Sequence, residues 1–135
     1  MRALVTGANG FLGRHVVGSL LARGIEVRAM VRPAARLEAL GWPSSVEVFR
    51  ADLRTSRELR RAFEGVDVLL HLAAVVSGAE DAQFAGTVVG TERLLDAMAA
   101  SAKTSAQFSA CVIGIRVSGP MTRWCRPNCW PRAAR

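Results

Sequence analysis

The chain has 135 residues, and half of them are hydrophobic, which supports one core and excludes global disorder. Its formal net charge of +7 is unevenly placed: residues 1–100 carry 12 arginines against 11 acids, whereas residues 101–135 carry six basic residues and no acid. No apolar run approaches the roughly 18 to 20 residues that span a bilayer, and Met1-Arg2-Ala3 leads in without a signal-peptide pattern. A cytoplasmic protein with no membrane partner is expected.

Arg2 to Thr6 reads as a short strand buried on both faces. It runs into Gly7-Ala8-Asn9-Gly10-Phe11-Leu12-Gly13, three glycines at G-x-x-G-x-x-G spacing, and then into an amphipathic helix. Gly7 allows the turn out of the strand, Gly10 lets a pyrophosphate approach the backbone, and Gly13 permits close helix–strand packing. A helix opening near Phe11 aims free N–H groups and a positive dipole end at the phosphates. Three glycines also occur in bare turns, but their position between a strand and a helix favours phosphate cradling. The helix places Leu12, Val16 and Leu20 on one stripe with Val17 and Leu21 beside it, and Arg23-Gly24 ends it.

Glu26 to Val31 is the second strand, stopped by Pro33. A short helix is expected over Ala34 to Leu40, and a third strand over Val46 to Ala51. Thr55 or Ser56 caps a third helix through Glu64, with Gly65 behind it. Val66 to Leu72 is the fourth strand. A fourth helix runs from about Asp81 to Ala100 with Val88, Leu94, Leu95 and Met98 inward, its first half weakened by Gly86 and Gly90. Strand and helix alternate four times in units of 20 to 25 residues. That rhythm predicts an α/β Rossmann-type doubly wound parallel sheet of order 3-2-1-4, incomplete at four to five strands. Phe108 to Val117 is the candidate fifth strand, and strand four then sits at or near an edge. A TIM barrel needs about 200 residues or more and is excluded by length.

Four motifs are collinear along the chain: Thr6 to Gly13, Asp52-Leu53, His71-Leu72-Ala73-Ala74, and Val89-Gly90-Thr91-Glu92-Arg93-Leu94-Leu95-Asp96-Ala97. Together they resemble an extended short-chain dehydrogenase/reductase of the NAD-dependent epimerase/dehydratase group, with hydroxysteroid-dehydrogenase-like members, over about residues 1–100. The resemblance implies an NAD(P) cofactor held by Gly7, Asn9, Gly10, Phe11, Leu12 and Gly13. It implies that Asp52 accepts the adenine amino group, that Leu53 covers the ring, and that Ala73 and Ala74 line the nicotinamide–ribose path. Val31 stands where the family often carries an acid for the ribose 2′-hydroxyl; Arg32 follows it and Arg36 lies a turn later, which favours NADP. His71, inside an apolar strand, is expected to be a packed residue rather than a base. Thr87 stands where the family usually has Asn.

The acid/base pair of the family, Tyr-x-x-x-Lys on the helix after strand five, has no counterpart here. The chain contains no tyrosine, and its one lysine is Lys103. The expected function is therefore the NAD(P)-binding portion of a short-chain oxidoreductase or epimerase, inactive alone and without catalytic residues of its own. A non-catalytic NADP(H)-binding sensor or interaction module is the alternative. Residues 101–135 form an atypical basic tail containing Cys111, Cys125 and Cys129 with Trp124 and Trp130. This composition resembles a frameshifted or truncated product of a GC-rich gene more than a nucleic-acid-binding arm, whose basic residues would form a stripe. The spacing C-x13-C-x3-C lacks a fourth ligand nearby, so no metal site is expected. Uncovered apolar surface on an incomplete domain predicts aggregation or self-association.

Overall fold

A computed structural model describes residues 1–75, 79–101, 109–112 and 115–118. The described strands are β1 (Arg2–Thr6), β2 (Glu26–Val31), β3 (Glu47–Arg50), β4 (Val68–His71), β5 (Ser109–Val112) and β6 (Ile115–Ser118). The α-helices are α1 (Phe11–Leu21), α2 (Glu80–Phe84) and α3 (Gly90–Ser101), with a π-helical segment over Ala85–Val89 joining the last two. Short 3-10 turns occupy Glu38–Leu40 and Leu59–Phe63. The six strands form one sheet in the order β3-β2-β1-β4-β5-β6, parallel throughout except for β6. The order 3-2-1-4 expected for the first four strands is the order found. No helix among the described residues is long and apolar enough to cross a membrane.

Successive strand residues point to opposite faces, and both faces of this sheet are packed. Leu4, Met30 and Leu69 meet Leu59, Phe63, Leu94 and Met98 on one face. Val5, Val27, Ala29 and Val31 meet Val17 and Ala8 on the other, with Leu20 and Leu70 at the margin. Leu4, Val5, Val17, Leu69 and Leu94 are fully buried. Helices on both faces of a parallel core make the sheet doubly wound.

The departures from expectation have local causes. Phe108 to Val117 does not form one strand: Ser109–Val112 continues the parallel sheet beside β4, and Ile115–Ser118 turns back antiparallel to it. β4 is therefore an interior strand rather than an edge. The helix expected after Thr55 or Ser56 shrinks to the 3-10 turn at Leu59–Phe63, because Ser56 is diverted: its hydroxyl accepts the Asp52 N–H at 2.8 Å instead of capping. The short helix at Ala34 to Leu40 is likewise only a 3-10 turn. Leu94 and Met98 of α3 face inward as expected, but Leu95 of α3 and Val88 before it are 38% and 40% exposed. Val88 lies in the π-helical segment, where the wider turn breaks the α-helical phase. On α1, Gly13 and Val17 form the buried centre, and Leu12 is half exposed.

Arg28 is the buried cation of β2. Its Nη1 donates to the carbonyls of Ala62 and Glu64 at 2.8 and 2.9 Å, closing the end of the Leu59–Phe63 turn against the sheet. Its Nε lies 2.9 Å from Glu47 Oε1, an ionic contact whose geometry falls short of a hydrogen bond. Removing the guanidinium strands buried carbonyls and leaves a void, so Arg28→Ala is expected to cost about 2 to 4 kcal/mol. The measurement is the shift in urea midpoint at constant m-value; a change under about 0.5 kcal/mol would show that water replaces the fork.

Candidate functional site

The C-terminal ends of β1, β2, β3 and β4 converge on a cleft of about 460 Å3, lined by Thr6, Gly7, Asn9 and Gly10 at the first, Met30 to Arg32 at the second, Ala51 to Arg54 at the third and Leu72 to Val75 at the fourth. Ala82 and Gly86 close its far side. The strand order reverses between β1 and β4, and a crevice outside the carboxyl ends at that switch point is where open α/β sheets take ligands.

The glycine turn is built by close approach. Gly7 has φ +64°, and a Cβ there would lie 2.9 Å from both Cα and N of Ala73. Gly10 donates its N–H to the Gly7 carbonyl at 3.0 Å and forms the N-terminal boundary of α1. A Cβ on Gly13 would run into the Gly7 carbonyl and lie 2.7 Å from Ala8 Cα. Among the described residues no side chain caps α1, and no acid sits in its first turn, so the N–H groups and positive dipole end face an external anion. Phe11 is 76% exposed there, with Arg14 over its ring at 5.3 Å.

A buried polar chain holds the β4 side of the cleft. Thr6 Oγ1 accepts the N–H groups of Leu72 and Ala73, each at 3.2 Å, so its own proton goes to His71 Nδ1 at 2.6 Å. That fixes the neutral His71 tautomer: Nε2–H donates to Thr91 Oγ1 at 2.9 Å, and Thr91 donates onward to the Thr87 carbonyl. Thr87 Oγ1 in turn accepts the Val75 N–H at 3.0 Å. His71 is 3% exposed, and burial pushes its pKa down to about 4. It packs within the fold, as its strand context implied, with both ring nitrogens occupied.

The β3 side is a compact loop. The Asp52 carbonyl accepts the Ser56 N–H at 2.8 Å, and Arg93 of α3 donates to the carbonyls of Leu53 and Ser56 at 3.0 and 2.9 Å. Asp52 is engaged by Arg54, which holds its carboxyl below the usual carboxylate range against the opposing effect of burial; Arg32 adds a smaller pull the same way. Among the residues singled out from sequence, Gly7, Asn9, Gly10, Arg32, Asp52, Leu53, Ala73 and Ala74 line the cleft. Phe11, Leu12 and Gly13 do not: Gly13 is buried behind the turn, while Phe11 and Leu12 sit exposed on α1. Thr6, Met30, Val31, Ala51, Arg54, Leu72, Val75, Ala82 and Gly86 complete the lining. Gly86 was legible only as a helix weakener; a Cβ there would press into the Val75 side chain. Lys103, Cys125, Cys129, Trp124 and Trp130 lie outside the described residues.

Sheet order, glycine turn and cleft define a Rossmann-type dinucleotide-binding domain. The chain belongs to the family described as NAD(P)H-binding, whose model matches residues 7–132, and is an NAD(P)-binding domain of the short-chain dehydrogenase/reductase and epimerase kind. It is 46% identical over 98 residues to sterol demethylase protein B of Methylococcus capsulatus, a match covering 70% of this chain and 30% of that one. Among solved structures it resembles a Thermus thermophilus UDP-glucose 4-epimerase complexed with NAD, at TM-score 0.63 and 34% identity over 75% of this chain and 34% of that one. An Agrobacterium tumefaciens short-chain dehydrogenase/reductase superfamily protein with bound NAD gives TM-score 0.60 and 38% identity, covering 75% and 30%. The chain thus spans about a third of the length of these relatives.

The His71 burial has a pH consequence. The unfolded histidine titrates near about 6.5 and the folded one near about 4, so the unfolded chain takes the proton first as pH falls. Stability is full above about pH 6.5 and declines toward about pH 4, by about 3 kcal/mol. Urea unfolding at pH 7.5, 5.5 and 4.2 should show this decline, and His71→Gln should flatten it. An unchanged pH slope in the variant would assign the decline to other groups.

Proposed function

We propose that the cleft holds NAD(P) in an extended pose across the ends of the four strands. The observation that carries the reading is the Gly7–Gly10 turn delivering the uncapped start of α1 to a cleft at the sheet's switch point. The pyrophosphate lies against Gly10, flanked by Asn9, Phe11 and Leu12, while Gly13 serves by letting α1 pack close. Asp52 accepts the adenine amino group, Leu53 covers the ring, and Ala73 and Ala74 leave room for the nicotinamide ribose. Arg32, with no acid at Val31, faces the 2′-phosphate, so NADP is favoured over NAD. The bound cofactor supplies hydride chemistry; this chain's residues bind and orient it.

Without a tyrosine for general acid/base work, the chain alone binds but does not turn over. The same absence fits the second reading equally, a non-catalytic NADP(H)-binding sensor or interaction module. Residues 1–100 are proposed as the cofactor-binding body and 101–135 as an atypical basic tail, frameshifted or truncated; reading the coding DNA past codon 100 in all three frames tests this. A frame supplying Tyr-x-x-x-Lys supports the fragment, and none supports the module. Phe84, Val88 and Leu95 keep apolar surface exposed on α2, the π-helical segment and α3, and self-association through apolar surface is expected. Light scattering over a concentration series reads it; a concentration-independent monomer is the contrary result.

Fluorescence titration should show saturable binding of NADPH and NADH, tighter for NADPH. Gly10→Asp should weaken both at least about 100-fold by setting a carboxylate against the pyrophosphate. Hydride transfer to carbonyl substrates by the purified chain would overturn the inactive reading, and absence of binding would overturn the site.

A further inference from the structure

Arg54 belongs to a wall of the cleft that the glycine turn does not reach. It lies two residues past Asp52 and lines the cleft beside it. Its backbone N–H and its Nε donate to Asp52 Oδ1 at 2.9 and 3.2 Å, and its Nη2 donates to Oδ2 at 2.9 Å. The fork leaves a carboxylate with few ways to turn. An ionised carboxylate offers about four acceptor positions. Among the described residues, two positions on Oδ1 and one on Oδ2 are taken, which leaves one acceptor position, on Oδ2.

The arrangement is held from outside as well. The Asp52 N–H is bonded to Ser56 Oγ, and Arg93 clamps the carbonyls of Leu53 and Ser56. Asp52 is one-fifth exposed, while Arg54 is about half exposed. An ion pair this open to water contributes little to folding. Its ordering of one acceptor at the cleft wall is what remains for it to do.

We propose that Arg54 is a positioning residue for base selection: it locks Asp52 so that the free Oδ2 acceptor meets an exocyclic amino group on the purine of the dinucleotide. This rests on the reading of the cleft as an NAD(P) site with Asp52 at the base. A purine with a 6-amino group donates to that acceptor. A 6-oxo purine presents an acceptor to a carboxylate and is rejected, since the locked side chain cannot swing away.

The test compares NADH with reduced nicotinamide hypoxanthine dinucleotide, in which a 6-oxo group and an N1–H replace the 6-amino group and the bare N1, on the full chain and two variants. The unmodified chain should prefer NADH by roughly tenfold. Arg54→Met should weaken NADH severalfold and leave the hypoxanthine dinucleotide within about twofold, so that the preference collapses. Arg54→Lys, which keeps the charge but loses the planar fork, should also lose most of the preference. Thermal melts of the three proteins should agree, separating positioning from folding. Equal weakening of both dinucleotides in Arg54→Met would make Arg54 a general anion attractor and overturn the proposal, as would an unchanged ratio. If the unmodified chain binds neither dinucleotide, the cofactor reading itself falls.

Discussion

Three lengths of backbone meet with no side chain between them at the end of β1. Gly7 lies against the Ala73 backbone, and Gly13 lies against the Gly7 carbonyl and Ala8. Glycine is required at Gly7 twice over, by its left-handed φ of +64° and by the Ala73 contact. At Gly13 the requirement is contact alone. Because α1 approaches this closely, Val17 reaches Val5, Val27 and Ala29 beneath it, and the helix start lands at the sheet's switch point. The cleft is a by-product of that packing: the strand ends surround a space that the turn cannot fill.

Around this contact, polar groups do what apolar packing cannot: they fix orientation. Thr6 holds the backbone of Leu72 and Ala73, Thr87 holds Val75, and His71 ties Thr6 to Thr91 on α3. Every partner in that chain is satisfied, which is the condition under which a buried polar network stabilises rather than costs. On the opposite side, Arg93 reaches from α3 to the Leu53–Ser56 backbone. α3 therefore braces both walls of the cleft without lining it.

Legibility in the sequence tracks the strength of local constraints. β1 and β2 were readable to the residue because apolar runs bounded by glycine, proline and charge leave one solution. The strand order came from the strand–helix alternation, which calls for parallel strands joined by crossover helices. Gly7 and Gly10 stood out in the glycine spacing and Asp52 and Ala73 through the family resemblance, and all four line the cleft. The helix after Ser56 was misread because a capping residue can be captured by a loop, and nothing in its spacing reveals that. Arg54, Thr6 and Gly86 were hidden for a different reason: each matters through a partner on another element or a neighbouring carboxylate. The split of the last apolar run into β5 and β6 had no turn signal beyond Gly114, too weak to divide a strand.

The π-helical segment at Ala85–Val89 sets the phase between α2 and α3. In an α-helix each residue advances the chain by about 100° around the axis; a wider turn accommodates an additional residue without rotating the helix beyond it. Losing one residue from this segment would let the two helices fuse into a single regular spiral. Ala82 would keep its side toward the cleft and Leu94 its seat in the core, because the wider turn absorbs the additional residue locally. The segment takes up a residue of chain length between a helix whose Ala82 lines the cleft and a helix whose Leu94 fills the core.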